Sequence, residues 1–70
     1  MKELQDLEPD SLFEHHGVIY RVEEGVDEEG YIICTKIAFW SEGVIIITKM
    51  PYKERFISSC FVKPVRFTII

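Results

Sequence analysis

Seventy residues make one domain with a thin margin for a core, because a chain of this length buries only about 60% of the surface it exposes when unfolded. A composition that is 47% hydrophobic and 29% charged excludes intrinsic disorder, and no apolar run, Val44-Ile45-Ile46-Ile47 included, is long enough to cross a bilayer. The formal charge of −4 hides two opposed halves: residues 1–30 carry ten acids and two bases, net −8, whereas residues 31–70 carry two acids and six bases, net +4.

Residues 1–10 are bounded by Pro9 and have room for one or two helical turns, with Leu4 and Leu7 three apart and positioned to fold back as a lid. From there the chain changes to β-branched and aromatic segments punctuated by polar turns. Gly17, Gly30 and Gly43 recur every thirteen residues, each closing such a turn, which is the signature of an antiparallel meander. Residues 11–15 and 18–23 read as a first hairpin, with Val18, Tyr20 and Val22 on one face and Arg21 and Glu23 on the other. Residues 31–39 read as a long strand that places Tyr31, Ile33, Ile37 and Phe39 opposite Ile32, Cys34, Lys36 and Ala38. Residues 44–50 read as a strand that is apolar on both faces for four residues, Val44–Ile47, as expected of a central strand or of one covered by another subunit.

Pro51 predicts a turn over residues 50–54, since proline cannot donate to a ladder. Alternation returns over residues 55–62, Pro64 is expected to end that strand, and residues 67–70 are expected to form a short last one. Five to six short strands joined by tight turns in a single domain over residues 1–70 predict an all-β fold, specifically a small SH3-like antiparallel barrel.

The opening pattern Leu7-x-Pro9-x-x-Leu12-Phe13-x-x-x-Gly17-x-x-Tyr20-Arg21-Val22 resembles the start of short phage-encoded proteins of unassigned role. That resemblance covers residues 7–22. It implies an accessory protein acting on a host or phage component in the host cytoplasm, and it carries no residue roles. The same stretch is similar to the hairpin that opens the SH3-like domain of translation factors of the elongation factor P type. Those continue into a glycine-rich loop bearing a lysine. Here the acidic run Glu23-Glu24-Gly25-Val26-Asp27-Glu28-Glu29 stands in its place, so that activity is not expected.

Chemistry-bearing constellations are sparse. His15-His16, Cys34 and Cys60 lack the short ligand pairs of a zinc site, and adjacent strand residues point to opposite faces. The two histidines read as exposed turn residues and the two cysteines as core thiols. The acidic run does not alternate its ligands as a calcium loop does, and no glycine pattern for phosphate occurs. An enzyme, a metal and a cofactor are therefore not expected.

The basic half is more suggestive. Lys49, Tyr52, Lys53 and Arg55, with Lys63 and Arg66 further on, interleave cations with aromatic rings as single-strand nucleic-acid binders do. A sequence pI near 5.0 and the acidic half weigh against that use. Trp40 stands beside a turn where a large ring anchors a protein interface or caps the barrel. The expected function is a non-enzymatic module that binds another protein and pairs with itself as a homodimer, with Ile45, Ile47, Phe67 and Ile69 as interface candidates. The alternative is a small RNA- or single-stranded-DNA-binding barrel using residues 49–55. The acidic half would pair with the basic half, within one chain or between two. The acidic opening Met1-Lys2-Glu3-Leu4-Gln5-Asp6 stands where a signal peptide would be apolar, so a cytoplasmic location and no membrane contact are expected.

Overall fold

A computed structural model describes residues 1–66; the strand expected over residues 67–70, with Phe67 and Ile69, lies outside the described residues. The protein is all-β. Strand β1 (Lys2–Glu3) leads into a single 3-10 turn at Leu4–Asp6, followed by β2 (Leu12–His15), β3 (Val18–Val22), β4 (Tyr31–Ser41), β5 (Val44–Ile57) and β6 (Phe61–Val65). All pairings are antiparallel, in the order β1-β6-β2-β3-β4-β5.

Two hairpins set the meander. His16 and Gly17 both have positive φ (53° and 78°), as do Glu42 and Gly43 (50° and 81°). Positive φ at both central residues marks the two-residue turn whose twist matches that of the flanking strands. A side chain on Gly17 or Gly43 would be strained in that backbone region.

The sheet cannot be flat. Strands lie about 4.8 Å apart, so β5 and β6, four positions apart in the order, would stand roughly 19 Å apart in a flat sheet. Residues 58–60 are all that joins them, and four Cα steps reach at most about 14 Å. The sheet therefore curls until its two ends approach. The Phe56 ring on β5 lies 5.7 Å from Phe13 on β2 and 4.9 Å from Tyr20 on β3, edge-on in both cases. Phe13 and Tyr20 are themselves stacked at 5.3 Å.

Inside the curl sits the core: Leu4, Phe13, Tyr20, Val22, Ile32, Cys34 and Val62, with Leu7, Val18, Phe56 and Cys60 packed against it. Leu4 and Leu7 cover one end, as the i, i+3 spacing implied. Leu4 and Gln5 donate backbone hydrogen bonds to Cys60 and Ser58, and Ser58 donates to Gly30, so the link between β5 and β6 is tied to both sides of the opening. The sheet nevertheless stays open. Among the described residues no ladder joins β5 to β1 or β6, where a closed barrel was expected.

Three further expectations are corrected. Pro51 does not make a turn, because β5 runs through residues 50–54 as an edge strand where, among the described residues, no ladder partner on its outer side needs the missing N–H. The proline falls inside an irregularity. Pairing steps from Lys36↔Tyr52 to Ala38↔Ile47, leaving residues 48–51 of β5 opposite Ile37 alone, and β3 slips against β4 at the same level. The segment read as one strand over residues 55–62 is two, divided by the turn at residues 58–60. Nor does Pro64 end β6, which pairs it with Phe13 beyond the reach of the two-residue β1.

The bulge has a visible effect on shape. Fourteen residues at about 3.3 Å each would make β5 longer than the 36 Å maximum extent of the molecule, so the strand must bend.

Because Phe13 is fully buried at the centre of the ring cluster, Phe13→Ala is expected to cost about 3–5 kcal/mol. Urea denaturation followed by circular dichroism checks this. The exposed Ile46→Ala should change the midpoint little.

Candidate protein-binding surface

Register assigns each side chain to the concave (inner) or convex (outer) face of the curl, since directly paired residues share a face. Buried Tyr20, Val22, Ile32 and Cys34 define the inner face. The pairs Tyr20↔Lys36, Lys36↔Tyr52, Val18↔Phe39 and Phe39↔Ile46 continue it outward. Arg21↔Thr35↔Lys53 and Ile33↔Arg55 lie on the opposite face, as do Ile19↔Ala38↔Ile47 and Trp40↔Ile45 beyond the bulge; on that face Ile19, Ala38 and Thr35 are buried, whereas Trp40 and Ile47 are exposed.

This splits the expected basic–aromatic cluster. Tyr52 faces inward, where the Lys36 ammonium lies 5.4 Å from its ring centroid and 5.7 Å from that of Phe39. Lys53 and Arg55 face outward. The Arg55 guanidinium stacks 4.3 Å above Tyr31 and contacts the Glu29 carboxylate at 3.2 Å. Lys49 is exposed within the irregular span of β5. Lys63 stands opposite Glu14 on β6. Arg66 lines a separate cleft with Lys2, Leu7 and Asp10. Trp40 is on the outer end of the β4–β5 hairpin. The seven candidates thus do not share one surface.

The acidic half meets the basic half within the chain. Arg55–Glu29 is the one ion pair joining the two halves among the described residues; Glu23 accepts from the Thr35 hydroxyl and, within the acidic half, from Arg21. These partners, Thr35 first, hold Glu23 below its usual range, with Lys53 adding to the effect. Asp27 accepts the backbone N–H groups of Tyr31 and Glu29, which likewise lower its pKa, so part of the acidic run is an ordered turn.

At the inner mouth, the Tyr20 hydroxyl donates to Glu54 at 3.0 Å, and burial together with that bond pushes the phenol up. The His15 ring sits 5.7 Å from Phe56 and 4.1 Å from His16, so the pair does not diverge as adjacent strand residues would. His16 occupies a positive-φ turn position, where strand alternation does not hold. His15 is half-buried, and burial first, then the neighbouring His16, keep its pKa below the ordinary value against the pull of Glu54. Cys34 is buried in the core with its thiol pushed up to about 12 by desolvation, while Cys60 is half-buried. Among the described residues no group of three or more histidine, cysteine or acidic side chains is placed to hold a metal.

What the fold leaves uncovered is apolar. On the outer half of the β4–β5 hairpin, Trp40 is 44% exposed, Val44 60%, Ile46 42%, Ile47 53% and Met50 81%, while Ile45 is half-buried. Ile45 and Ile47 were expected here from composition. Val44 and Ile46 belong to the same run expected to be apolar on both faces, whereas Phe39, which the register sets beside Ile46, was not expected here. The surface lies on an edge strand whose outer N–H and C=O groups have no ladder partner among the described residues.

Two measurements test this electrostatic picture. The folded-state pKa values of His15, Glu23 and Asp27 are all lowered, so the native state binds fewer protons than the unfolded one. Stability should be greatest above the ordinary histidine range and fall as pH drops through the histidine and then the carboxylate range. Denaturation midpoints between pH 8 and pH 3 follow this, and Thr35→Val should raise the Glu23 pKa in a carboxyl NMR titration. Separately, a thiol reagent near pH 8 should modify Cys60 well before Cys34, with both reacting in denaturant.

No protein-family model, curated protein or solved structure matches this chain.

Proposed function

We propose that this protein is a non-enzymatic binding module that works by protein–protein contact, using the outer half of the β4–β5 hairpin as its contact surface. One observation carries the reading: large apolar side chains cluster on a projecting, unpaired edge although a 70-residue chain has few to spare for its core. Trp40 at the end of that surface supplies the kind of ring that anchors interfaces. We place the curled sheet with the SH3-like half-barrels, in keeping with its bulged long strands and its short link across the opening. The opening motif at residues 7–22 supports a phage accessory role in a host cytoplasm.

The nucleic-acid alternative has less support. Stacking of bases beside neutralised phosphates needs rings and cations on one face. Within residues 49–55 Tyr52 is turned inward, its ring taken up by Lys36, whereas Lys53 and Arg55 are turned outward beside Glu23 and Glu29, so the segment does not present its ring and its cations together.

The test compares tagged wild type with Trp40→Ala/Ile47→Lys and with Lys53→Glu/Arg55→Glu in nuclease-treated bacterial lysate. The first variant should lose the bound polypeptides while remaining folded, and the second should keep them, because both pairs are surface substitutions of small cost to folding. Loss with the second variant only, or bound material that disappears with nuclease, moves the site to the basic face.

A further inference from the structure

We infer that the occupant of this edge is a second copy of the chain, its β5 laid antiparallel against the first about a two-fold axis at Ile46. The inference rests on the protein-binding reading above and names its partner. Three features support it.

The two edges of the sheet are unequal. One is β1, only two residues long; the other is β5, with fourteen. Natural edges are blunted by charge and proline. In β5 that protection is confined to Lys49, Pro51, Lys53, Glu54 and Arg55, while residues 44–48 carry none. The basic stretch guards one half of the edge and leaves the other half open to a strand.

The open half is complementary to itself. A two-fold axis normal to the sheet joins inner face to inner face, so residues set opposite one another must share a face. Centring on Ile46 meets that demand: Ile46 faces its own copy, Ile45 faces Ile47, and Val44 faces Thr48. Combined with the pairs inside each chain, this makes an outer row running Ile19-Ala38-Ile47 of one copy and Ile45-Trp40 of the other. The inner row runs Phe39-Ile46 and then Ile46-Phe39.

The flanking charges select the direction. Among the described residues neither Glu42 nor Lys49 belongs to an ion pair. In the antiparallel register each Lys49 comes opposite Gly43 in the turn of the other copy, one residue along the chain from Glu42. A parallel register would bring like charges together. The two glutamate–lysine pairs are equivalent by symmetry.

Sedimentation of the intact chain, with mixed-label NMR for contacts between copies, tests the inference. Wild type should be a dimer with contacts between the Ile45 and Ile47 methyl groups of different copies. Ile46→Lys puts two ammonium groups on the axis and should weaken the dimer at least about tenfold. Glu42→Lys and Lys49→Glu should each weaken it by about threefold to tenfold, and the double exchange should restore it. If Ile46→Lys fails to fold, the exchange series still decides. A wild type monomeric up to about 1 mM overturns the inference, as does a dimer whose strength none of these changes alters. A monomer whose residues 44–48 take up a foreign peptide also overturns it but leaves the protein-binding reading standing. A monomer with no binding sensitive to these residues ends both.

Discussion

The connection from Ile57 to Phe61 is shorter than the distance it would have to cover in a flat sheet, and most of the molecule follows from that mismatch. Strands β5 and β6 lie four positions apart yet are joined by residues 58–60, so the sheet must roll up far enough for its ends to meet. Rolling brings Phe56 onto Phe13 and Tyr20, and a half-sheet that would otherwise have one wet side gains an interior. It also gives the N-terminal turn its place. Leu4 and Leu7 fill the end of the roll where the strands no longer touch, and their backbone is fastened to the same short link.

The same roll sorts the charges. Acidic residues cluster in the first half of the sequence and basic ones in the second, and the outer face of β3, β4 and β5 sets Arg21, Glu23, Thr35 and Lys53 side by side, with Glu29 against Arg55 at the rim. The two ion pairs are solvent-exposed or nearly so and each contributes little alone, whereas the Thr35–Glu23 hydrogen bond is partly buried. Their collective effect is to leave the convex face near the hairpin base close to neutral. The apolar outer half of the hairpin remains the most distinctive surface.

Local chemistry made much of the fold legible. Turn residues ending at Gly17 and Gly43 located both hairpins, and the alternation of Val18, Tyr20 and Val22 located the core face of the first; on β4 both faces carry apolar residues, and alternation alone left its core face open. Proline was misleading at residues 51 and 64, because its effect depends on which side of a strand lacks a neighbour, and that is decided by strand order rather than by adjacent residues. The bulge at Ile37 was invisible for a related reason: it is a mismatch between strands, and no single strand records it. The basic stretch at residues 49–55 was readable as composition but not as surface, since a turn would have gathered its side chains and a strand disperses them to two faces. Closure was over-read as well, because strand number and turn spacing do not distinguish a closed barrel from a roll held by one short link.

Ile37 acts on everything beyond it as a change of phase. Up to Lys36 the even-numbered residues of β4 lie on the face of Ile32 and Cys34; after the bulge the odd-numbered Phe39 does, and Ala38 and Trp40 take the opposite face, Ala38 buried and Trp40 exposed. Interior and exterior along the outer hairpin are therefore assigned by one unmatched residue and not by the composition of the strand. The outer hairpin is apolar on both sides, so it tolerates either phase without burying a charge. A lineage that lost or gained a single residue there would exchange the faces of Phe39 and Trp40 relative to the rest of β4, changing which rings flank the exposed β5 edge.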